Sequence, residues 1–176
     1  RVDLRGVAQT SNFVWVVGKS DADRHVVWRR RLAGGSPWEF GLLNANNQAL
    51  NAAWASGTQL CVGGEGTRFG DSDVLCSYGE SRNVFVPQST GSMSAVLALF
   101  GSAPDDLWAV GDGFVIHRIG EDRPGVVNAW ERPVMISATF TAGAASGTQV
   151  LAAGSNGALW RRDPQTRVWS QVKTRS

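Results

Sequence analysis

The residues with the clearest capacity for chemistry are arginines and aromatic side chains that recur along the chain. Arg29, Arg118 and Arg161 each follow a residue with a planar ring, namely Trp28, His117 and Trp160. Guanidinium groups bind anions, and aromatic faces pack on planar groups or cations. Because strand side chains alternate between faces, we predict that the arginines and the rings lie on opposite sides of a sheet. We expect the rings to pack between sheets, whereas the arginines either reach a rim or form repeated binding pockets.

A second group of candidate binding residues lies in one long loop, residues 64–73. It contains Arg68, Phe69, Asp71 and Asp73, with Glu65 before them. The Asp-x-Asp spacing offers oxygen ligands of the kind that calcium prefers, but the glycine and the bidentate glutamate of a helix-flanked calcium loop are missing. We therefore expect solvated turn carboxylates, and we predict neither a metal site nor a cofactor. Phe69 is a candidate contact because an aromatic ring at a loop tip either packs under the loop or meets a partner.

Signals for catalysis are few. His25 and His117 lack metal-ligand spacing, and the sequence contains no nucleophile elbow, phosphate loop or paired-carboxylate motif. A sialidase-like site would need three arginines around one axis, for which Arg5, Arg24 and Arg68 are the candidates. We predict that the chain is not an enzyme and that it has no catalytic residues.

The elements that position these residues are predicted to be repeated β-hairpins. Residues 107–110 are apolar, Gly111-Asp112-Gly113 suit a tight turn, and residues 114–118 return as a second strand. Similar strands end at Gly18, Gly63 and Gly154, which gives spacings of 45, 48 and 43 residues between the four glycines. A late aromatic residue recurs at comparable intervals, as Trp38, Phe85, Trp130 and Trp169. Periods of this size are typical of propeller blades.

These periods divide the chain into four units, at about 2–43, 48–88, 93–134 and 136–172. Each unit is predicted to form four antiparallel strands, which makes sixteen strands in four sheets. Residues 49–54 have helix propensity, but we predict a strand because their counterparts in the other units are strands. The sequence therefore predicts one all-β domain over residues 1–176, a β-propeller of four repeats of about 45 residues each.

The third unit resembles a known family. Residues 106–113, followed by Ile116-His117-Arg118 and Trp130, resemble the blade repeat of bacterial propellers related to the Trp-Asp, Tyr-Val-Thr-Asn and Asp-box groups. Residues 162–169 are similar to an Asp-box turn without its full Ser-x-Asp-x-Gly-x-Thr-Trp pattern. The resemblance covers all four units. It implies a fold only, because such propellers include lectins, scaffolds, lyases and hydrolases.

Four units raise the question of ring closure, since known propeller rings have about four to eight blades. We predict no strand that would latch the last blade to the first. The alternatives are a four-blade ring, a segment of a longer chain with further blades, or two chains that share one ring. The first residue is Arg1 rather than methionine. This start and the missing latch favour a segment of a larger ring or an assembly.

The two cysteines bear on the cellular compartment in which the protein is expected to reside. Cys61 and Cys76 are predicted on neighbouring antiparallel strands of the second unit, where their sulfurs could face each other. A bridge between them would close the long loop and stabilise the fold by about 3 kcal/mol in the loop-entropy model. The alternative is two buried thiols in a reducing compartment. The sequence favours the disulfide, and with it an extracellular, periplasmic or cell-surface protein.

The amino-acid composition argues against two classes of function, nucleic-acid binding and membrane spanning. Lys and Arg number 17 against 15 Asp and Glu, and this balance is too even for a nucleic-acid partner. No apolar run approaches the roughly 18 residues of a membrane span. We predict a non-enzymatic scaffold that binds a protein partner or further blades, because its loops differ from unit to unit. The alternatives are a lectin that binds glycan in one pocket per blade and a sialidase-like glycoside hydrolase fragment.

Overall fold

The computed structural model describes residues 1–21, 25–41, 49–65, 74–81, 84–88, 90–92, 94–119 and 130–173. Within these ranges the chain forms fourteen β-strands, one 3₁₀ turn at Ser155–Gly157 and no α-helix. All strand pairs are antiparallel, so the predicted all-β class is confirmed. No helix in these ranges is long and apolar enough to cross a membrane. Five candidate residues lie outside the described ranges, and the predictions about them stay predictions: Arg24, Arg68, Phe69, Asp71 and Asp73.

The first sheet contains four strands in chain order. They are β1 (Val2–Gln9), β2 (Phe13–Ser20), β3 (His25–Arg31) and β4 (Glu39–Gly41). β2 is rich in β-branched and aromatic residues, which fit a pleated surface. Its alternation places Phe13, Trp15 and Val17 on one buried face, whereas the other face carries Val14 and Val16, which are only partly buried.

The second sheet repeats this arrangement. Its strands are β5 (Leu50–Ser56), β6 (Gln59–Gly64), β7 (Val74–Ser77) and β8 (Val86–Gln88), in that order. Residues 50–54 belong to β5, which confirms the prediction of a strand and not a helix at this position. Cys61 and Cys76 lie directly opposite each other on β6 and β7, with their Cα atoms 4.1 Å apart, and form a buried disulfide. The predicted bridge is confirmed.

The third sheet differs from the prediction because two units merge into six strands, in the spatial order β14, β13, β12, β11, β10, β9. The strands are β9 (Val96–Ala103), β10 (Asp106–His117), β11 (Val134–Ser146), β12 (Gln149–Gly154), β13 (Leu159–Arg162) and β14 (Trp169–Gln171). The merger has a geometric cause: residues 134–139 of β11 pair with β10, and residues 140–146 pair with β12. One continuous strand thus borders both units, and sixteen strands in four separate sheets are not confirmed.

The predicted central hairpin is present inside β10. Residues 106–111 pair with β9, Gly113 has φ +78°, and the Arg118 amide donates to the Leu107 carbonyl at 2.7 Å. The chain must reverse between Leu107 and Arg118 to make this bond, so Gly111-Asp112-Gly113 form the turn.

The repeat register is set by four glycines, each lying against a backbone carbonyl within or directly before the first strand of its unit. A Cβ added to Gly18, Gly64, Gly111 or Gly154 would lie within 1.9–2.1 Å of a backbone oxygen, those of Asp3, Ala49, Ala95 and Thr139 respectively. The glycines are 46, 47 and 43 residues apart. The second repeat glycine is therefore Gly64 and not Gly63, whose Cβ would meet the side chain of Val96.

Three apolar cores lie between successive units. The first strands of successive units, β1, β5, β9 and β11, pack against one another in this order. Trp15 and Val17 pack against Leu60 and Val62, and the next two cores centre on the disulfide and on Trp108. In the described part of the chain the sheets do not close into a ring.

Candidate functional site

A pocket of about 230 Å³ lies between the β10 hairpin and strands β13 and β14. Trp108, Val115, Val134 and Trp169 form its apolar lining. Sites for drug-sized ligands usually measure roughly 300–1,000 Å³. The pocket is therefore better matched to one or two side chains than to a cofactor.

Trp108 is a rigid wall of this pocket. Its ring is 2% exposed, stacks on the His117 imidazole with centroids 4.0 Å apart, and meets the edge of Trp169 at 5.8 Å. The indole Nε1 donates to Asp106 Oδ1 at 3.0 Å. Contacts on its face, its edge and its polar end hold the ring in one orientation.

Asp106 anchors both rings from behind. Its carboxylate lies 2.9 Å from His117 Nε2 and also accepts hydrogen bonds from Trp108 and the Ser102 hydroxyl. Burial opposes its ionisation, but these hydrogen bonds outweigh burial and hold the pKa of Asp106 below its ordinary value. On the other side of the imidazole, Glu131 Oε1 lies 3.6 Å from Nδ1. Asp106 and Glu131 therefore position the His117 ring, and through it Trp108.

Three arginines give the pocket positive charge: Arg132, Arg162 and Arg167. The Arg162 guanidinium lies 5.2 Å from the centroid of the Trp108 ring, within cation–π range. None of the three forms an ion pair with a residue in the described ranges. The neighbouring carboxylate of Asp163 instead accepts the backbone N–H groups of Gln165 and Thr166 at 2.9 and 2.7 Å.

The sequence did not single out these three arginines as a group. Arg132 lies near the end of the third unit, just before β11, Arg162 lies on β13, and Arg167 lies in the turn after β13, so only the tertiary fold brings them together. In the sequence, the adjacent pair Arg161–Arg162 is the feature that could have indicated this site. Side chains alternate along a strand, so one of the two arginines must lie on each face.

Arg29 serves the interface between the first two sheets. Its guanidinium pairs with Glu39 at 2.8 Å, lies 4.2 Å from the Phe13 ring centroid, and donates to the Glu80 carbonyl of the second unit at 2.6 Å. These contacts are structural. They tie the first sheet to the turn that follows β7.

Arg118 does not share the register of Arg29 and Arg161, which corrects the sequence alignment. Arg29 lies opposite Trp15 and Arg161 opposite Leu151, each three residues before the repeat glycine, whereas Arg118 bonds to Leu107, four residues before Gly111. A one-residue offset moves a side chain to the other face of a strand. Arg118 accordingly points back toward the second sheet.

The Arg118 side chain is buried in the core. The side chain is 1% exposed, and Nη1 lies 3.9 and 3.8 Å from the sulfurs of Cys61 and Cys76. Nη2 donates to the Tyr78 hydroxyl at 3.4 Å. Burial lowers the pKa of Arg118 and raises that of Tyr78. Arg118 is therefore part of the core around the disulfide.

Arg161 is exposed on the outer face of β13, so the three predicted arginines lie in three different environments and are not brought together. The described residues give no support to one shared pocket type per unit, and the lectin stays a prediction. No group of three His, Cys, Asp or Glu side chains in the described ranges is arranged to hold a metal ion.

The outer face of the first sheet is apolar and open. Val7, Val16, Trp28 and Phe40 are successive cross-strand partners, so they form one row across all four strands. Val7 is 67% and Phe40 is 52% exposed. In the later units, the positions that match Val14 and Val16 are buried against the preceding unit: Leu60, Val62, Leu107, Ala109, Val150 and Ala152.

The outer face of the last unit is open in the complementary direction. Leu151 and Ala153 lie three and one residues before Gly154 and are partly exposed. The matching residues of the earlier units are buried against the following unit: Trp15, Val17, Cys61, Gly63, Trp108 and Val110. The described units therefore form an open row with one uncovered face at each end.

Comparisons with known proteins bear on the fold. No protein-family model and no curated protein matches the chain. The solved structure "Crystal Structure of Mitotic Checkpoint Complex" is similar with a TM-score of 0.62 and 19% identity, over 88% of this chain and 47% of that chain. "YCF48 bound to D1 peptide" is similar with a TM-score of 0.47 and 14% identity, over 96% and 68%. This chain thus spans about half the length of the first protein, and its fold is similar to a β-propeller.

Proposed function

We propose that this chain is a protein-interaction module, not an enzyme, and that its partner covers the open apolar face of the first sheet. The row from Val7 to Phe40 is the observation that carries this proposal. Contiguous exposed apolar patches on soluble domains mark interaction sites. The equivalent face of every later unit is covered by another sheet, so a sheet of the same kind is the occupant that fits.

The last unit supports the same interpretation from the other end. Arg161 occupies the register position of Arg29, whose guanidinium bonds to the Glu80 carbonyl of the next unit at 2.6 Å. On the last unit this position is exposed. A further sheet, from additional blades or from a second chain, would supply the carbonyl that Arg29 already has.

The disulfide supports an exported setting for this assembly. Cys61 and Cys76 are both fully buried and bonded to each other. Such bridges persist in oxidising compartments and are rare in the cytosol. We therefore propose that the module acts outside the cell, in the periplasm or at the cell surface.

Sedimentation velocity tests the open face, with a second copy of the chain as the partner that presents a matching sheet. We expect the mean mass of the wild type to rise between about 5 and 200 µM, because this range brackets the micromolar affinity of small apolar interfaces. Val7→Lys should abolish this rise. Val84→Lys is the matched control, since Val84 is 62% exposed but lies between β7 and β8. A strictly monomeric wild type, or equal effects of the two lysines, would contradict the proposal.

A further inference from the structure

We propose that the pocket between the β10 hairpin and strands β13 and β14 binds the carboxylate of a glutamate side chain presented by a partner peptide. This site lies on a different surface from the open faces of the first and last units. It therefore goes beyond the proposed function, and the two proposals have separate tests.

Charge is the first argument. Arg132, Arg162 and Arg167 line a pocket in which Glu131 is the acidic residue, and Glu131 lies beside His117. Arg132 and Arg167 are exposed and Arg162 is half-buried, so their guanidinium groups are accessible to a ligand. The pocket consequently carries an excess of positive charge that described carboxylates do not neutralise. An anionic group is the ligand that such a site favours.

Shape is the second argument. The Trp108 and Trp169 rings meet at a steep angle of 78°, and Val115 and Val134 complete an apolar lining below the arginines. A glutamate side chain combines the required parts, because its two methylene groups can contact the rings while its carboxylate reaches the guanidinium groups. A carboxylate also accepts two parallel N–H bonds from one guanidinium. The volume of about 230 Å³ leaves room for such a side chain together with part of its backbone.

Preorganisation is the third argument. Asp106 and His117 hold the Trp108 ring in one orientation, and the Arg162 guanidinium lies over this ring, 5.2 Å from its centroid. A cation that is already oriented loses less conformational entropy when it binds an anion. This makes Arg162 the residue expected to contribute most, whereas the more exposed Arg132 and Arg167 supply additional charge at the mouth.

The test uses the full chain, with nitrogen-labelled tryptophan followed by nuclear magnetic resonance. The probe is the capped peptide acetyl-Gly-Gly-Glu-Gly-Gly-amide, and the comparison is the same peptide with glutamine in place of glutamate. We expect the glutamate peptide to shift the indole signals of Trp108 and Trp169 with a Kd of about 1–10 mM, because one anchored side chain buries little surface. Raising the salt from about 0.05 to 0.5 M should weaken this binding severalfold, as expected for a partly exposed ion pair.

Matched arginine variants make the assignment specific. Arg162→Gln should weaken binding at least fivefold, whereas Arg161→Gln should leave it unchanged, because Arg161 is the next residue on the same strand and points to the opposite face. Arg167→Gln, at an exposed turn position, should give a smaller loss and tests the pocket even if Arg162→Gln disturbs the fold. Equal binding of the glutamine peptide, equal losses at Arg161 and Arg162, or no shift of the two indoles at 20-fold the expected Kd would each overturn the proposal. None of these results depends on self-association through the first sheet.

Discussion

Removing the Cys61–Cys76 disulfide is expected to lower the free energy of unfolding by about 3 kcal/mol, since the bridge closes a loop of 15 residues. The connection between β6 and β7, residues 65–73, lies within this loop in the sequence. In the loop-entropy model the bridge stabilises the fold by restricting the unfolded chain. The double variant Cys61→Ala/Cys76→Ala removes the bridge without leaving a thiol that could be oxidised elsewhere.

The surroundings of the bridge make the result specific. Both sulfurs lie in the core between the second and third units, within 3.9 Å of the buried Arg118 guanidinium. Removing the two sulfurs also removes packing around Ala52, Trp54 and Val74, so the loss of about 3 kcal/mol from loop closure is the minimum to expect. The variant should still fold, because the neighbouring apolar contacts remain.

Urea unfolding followed by tryptophan fluorescence measures this change. With a slope of about 2 kcal/mol per molar urea, a loss of 3 kcal/mol lowers the midpoint by about 1.5 M. Reduction of the wild type should produce a similar decrease, whereas a reducing agent should leave the double variant unchanged. If oxidised wild type and double variant have the same midpoint, the bridge does not stabilise the fold and the reasoning from loop closure is refuted.

Two further predictions concern the repeat glycine and the aspartate behind the pocket. Gly64→Ala should lower the free energy of unfolding in urea by at least about 3 kcal/mol, because the added Cβ would lie 2.0 Å from the Ala49 oxygen. The control Gly57→Ala should lower it by only about 1 kcal/mol, because Gly57 has open space around it and only its φ of +56° is unfavourable for alanine. Equal losses would refute the steric explanation. The pKa of Asp106 is held below its ordinary value of 3.8, so its stabilising contribution is complete above that pH and is lost as the pH falls through the folded-state value. Urea midpoints measured from pH 7 down to pH 2 should therefore fall less below pH 4 in Asp106→Asn than in the wild type, and parallel acid profiles would count against this account.

The sequence was sufficient where structure depends on local chemistry. Gly111-Asp112-Gly113 predicted the hairpin correctly because a tight turn needs positive φ, which Gly113 supplies. Aligning the second unit with the third predicts Cys61 and Cys76 on neighbouring antiparallel strands, and the structure confirms that they are direct cross-strand partners. Repeat spacing likewise predicted the propeller-like arrangement of successive sheets.

The sequence was insufficient where two neighbouring residues could play one role. Gly63 and Gly64 are adjacent, and only the position of the Ala49 carbonyl shows that Gly64 is the repeat glycine. The same one-residue ambiguity misplaced Arg118, which faces the disulfide and not the position equivalent to Arg161. The sequence also could not reveal the merging of two units, because pairing along β11 passes from β10 to β12 without a break.

Arg29 and Arg161 show why the open faces indicate a missing neighbour rather than a property of the strands themselves. Both follow a tryptophan, and both lie on the third strand of their unit. Each is the cross-strand partner of the residue three positions before the repeat glycine. Of these two arginines, Arg29 is the one that a further unit covers in the described part of the chain. There the Glu80 carbonyl accepts a hydrogen bond from the Arg29 guanidinium, while the Glu80 carboxylate accepts the Asn12 backbone and side-chain N–H groups. Glu80 has φ +58°, so this acceptor belongs to a specific turn. A partner that covers the last unit must therefore present both an apolar sheet face and a turn carbonyl at its end, which a flat apolar surface would not provide.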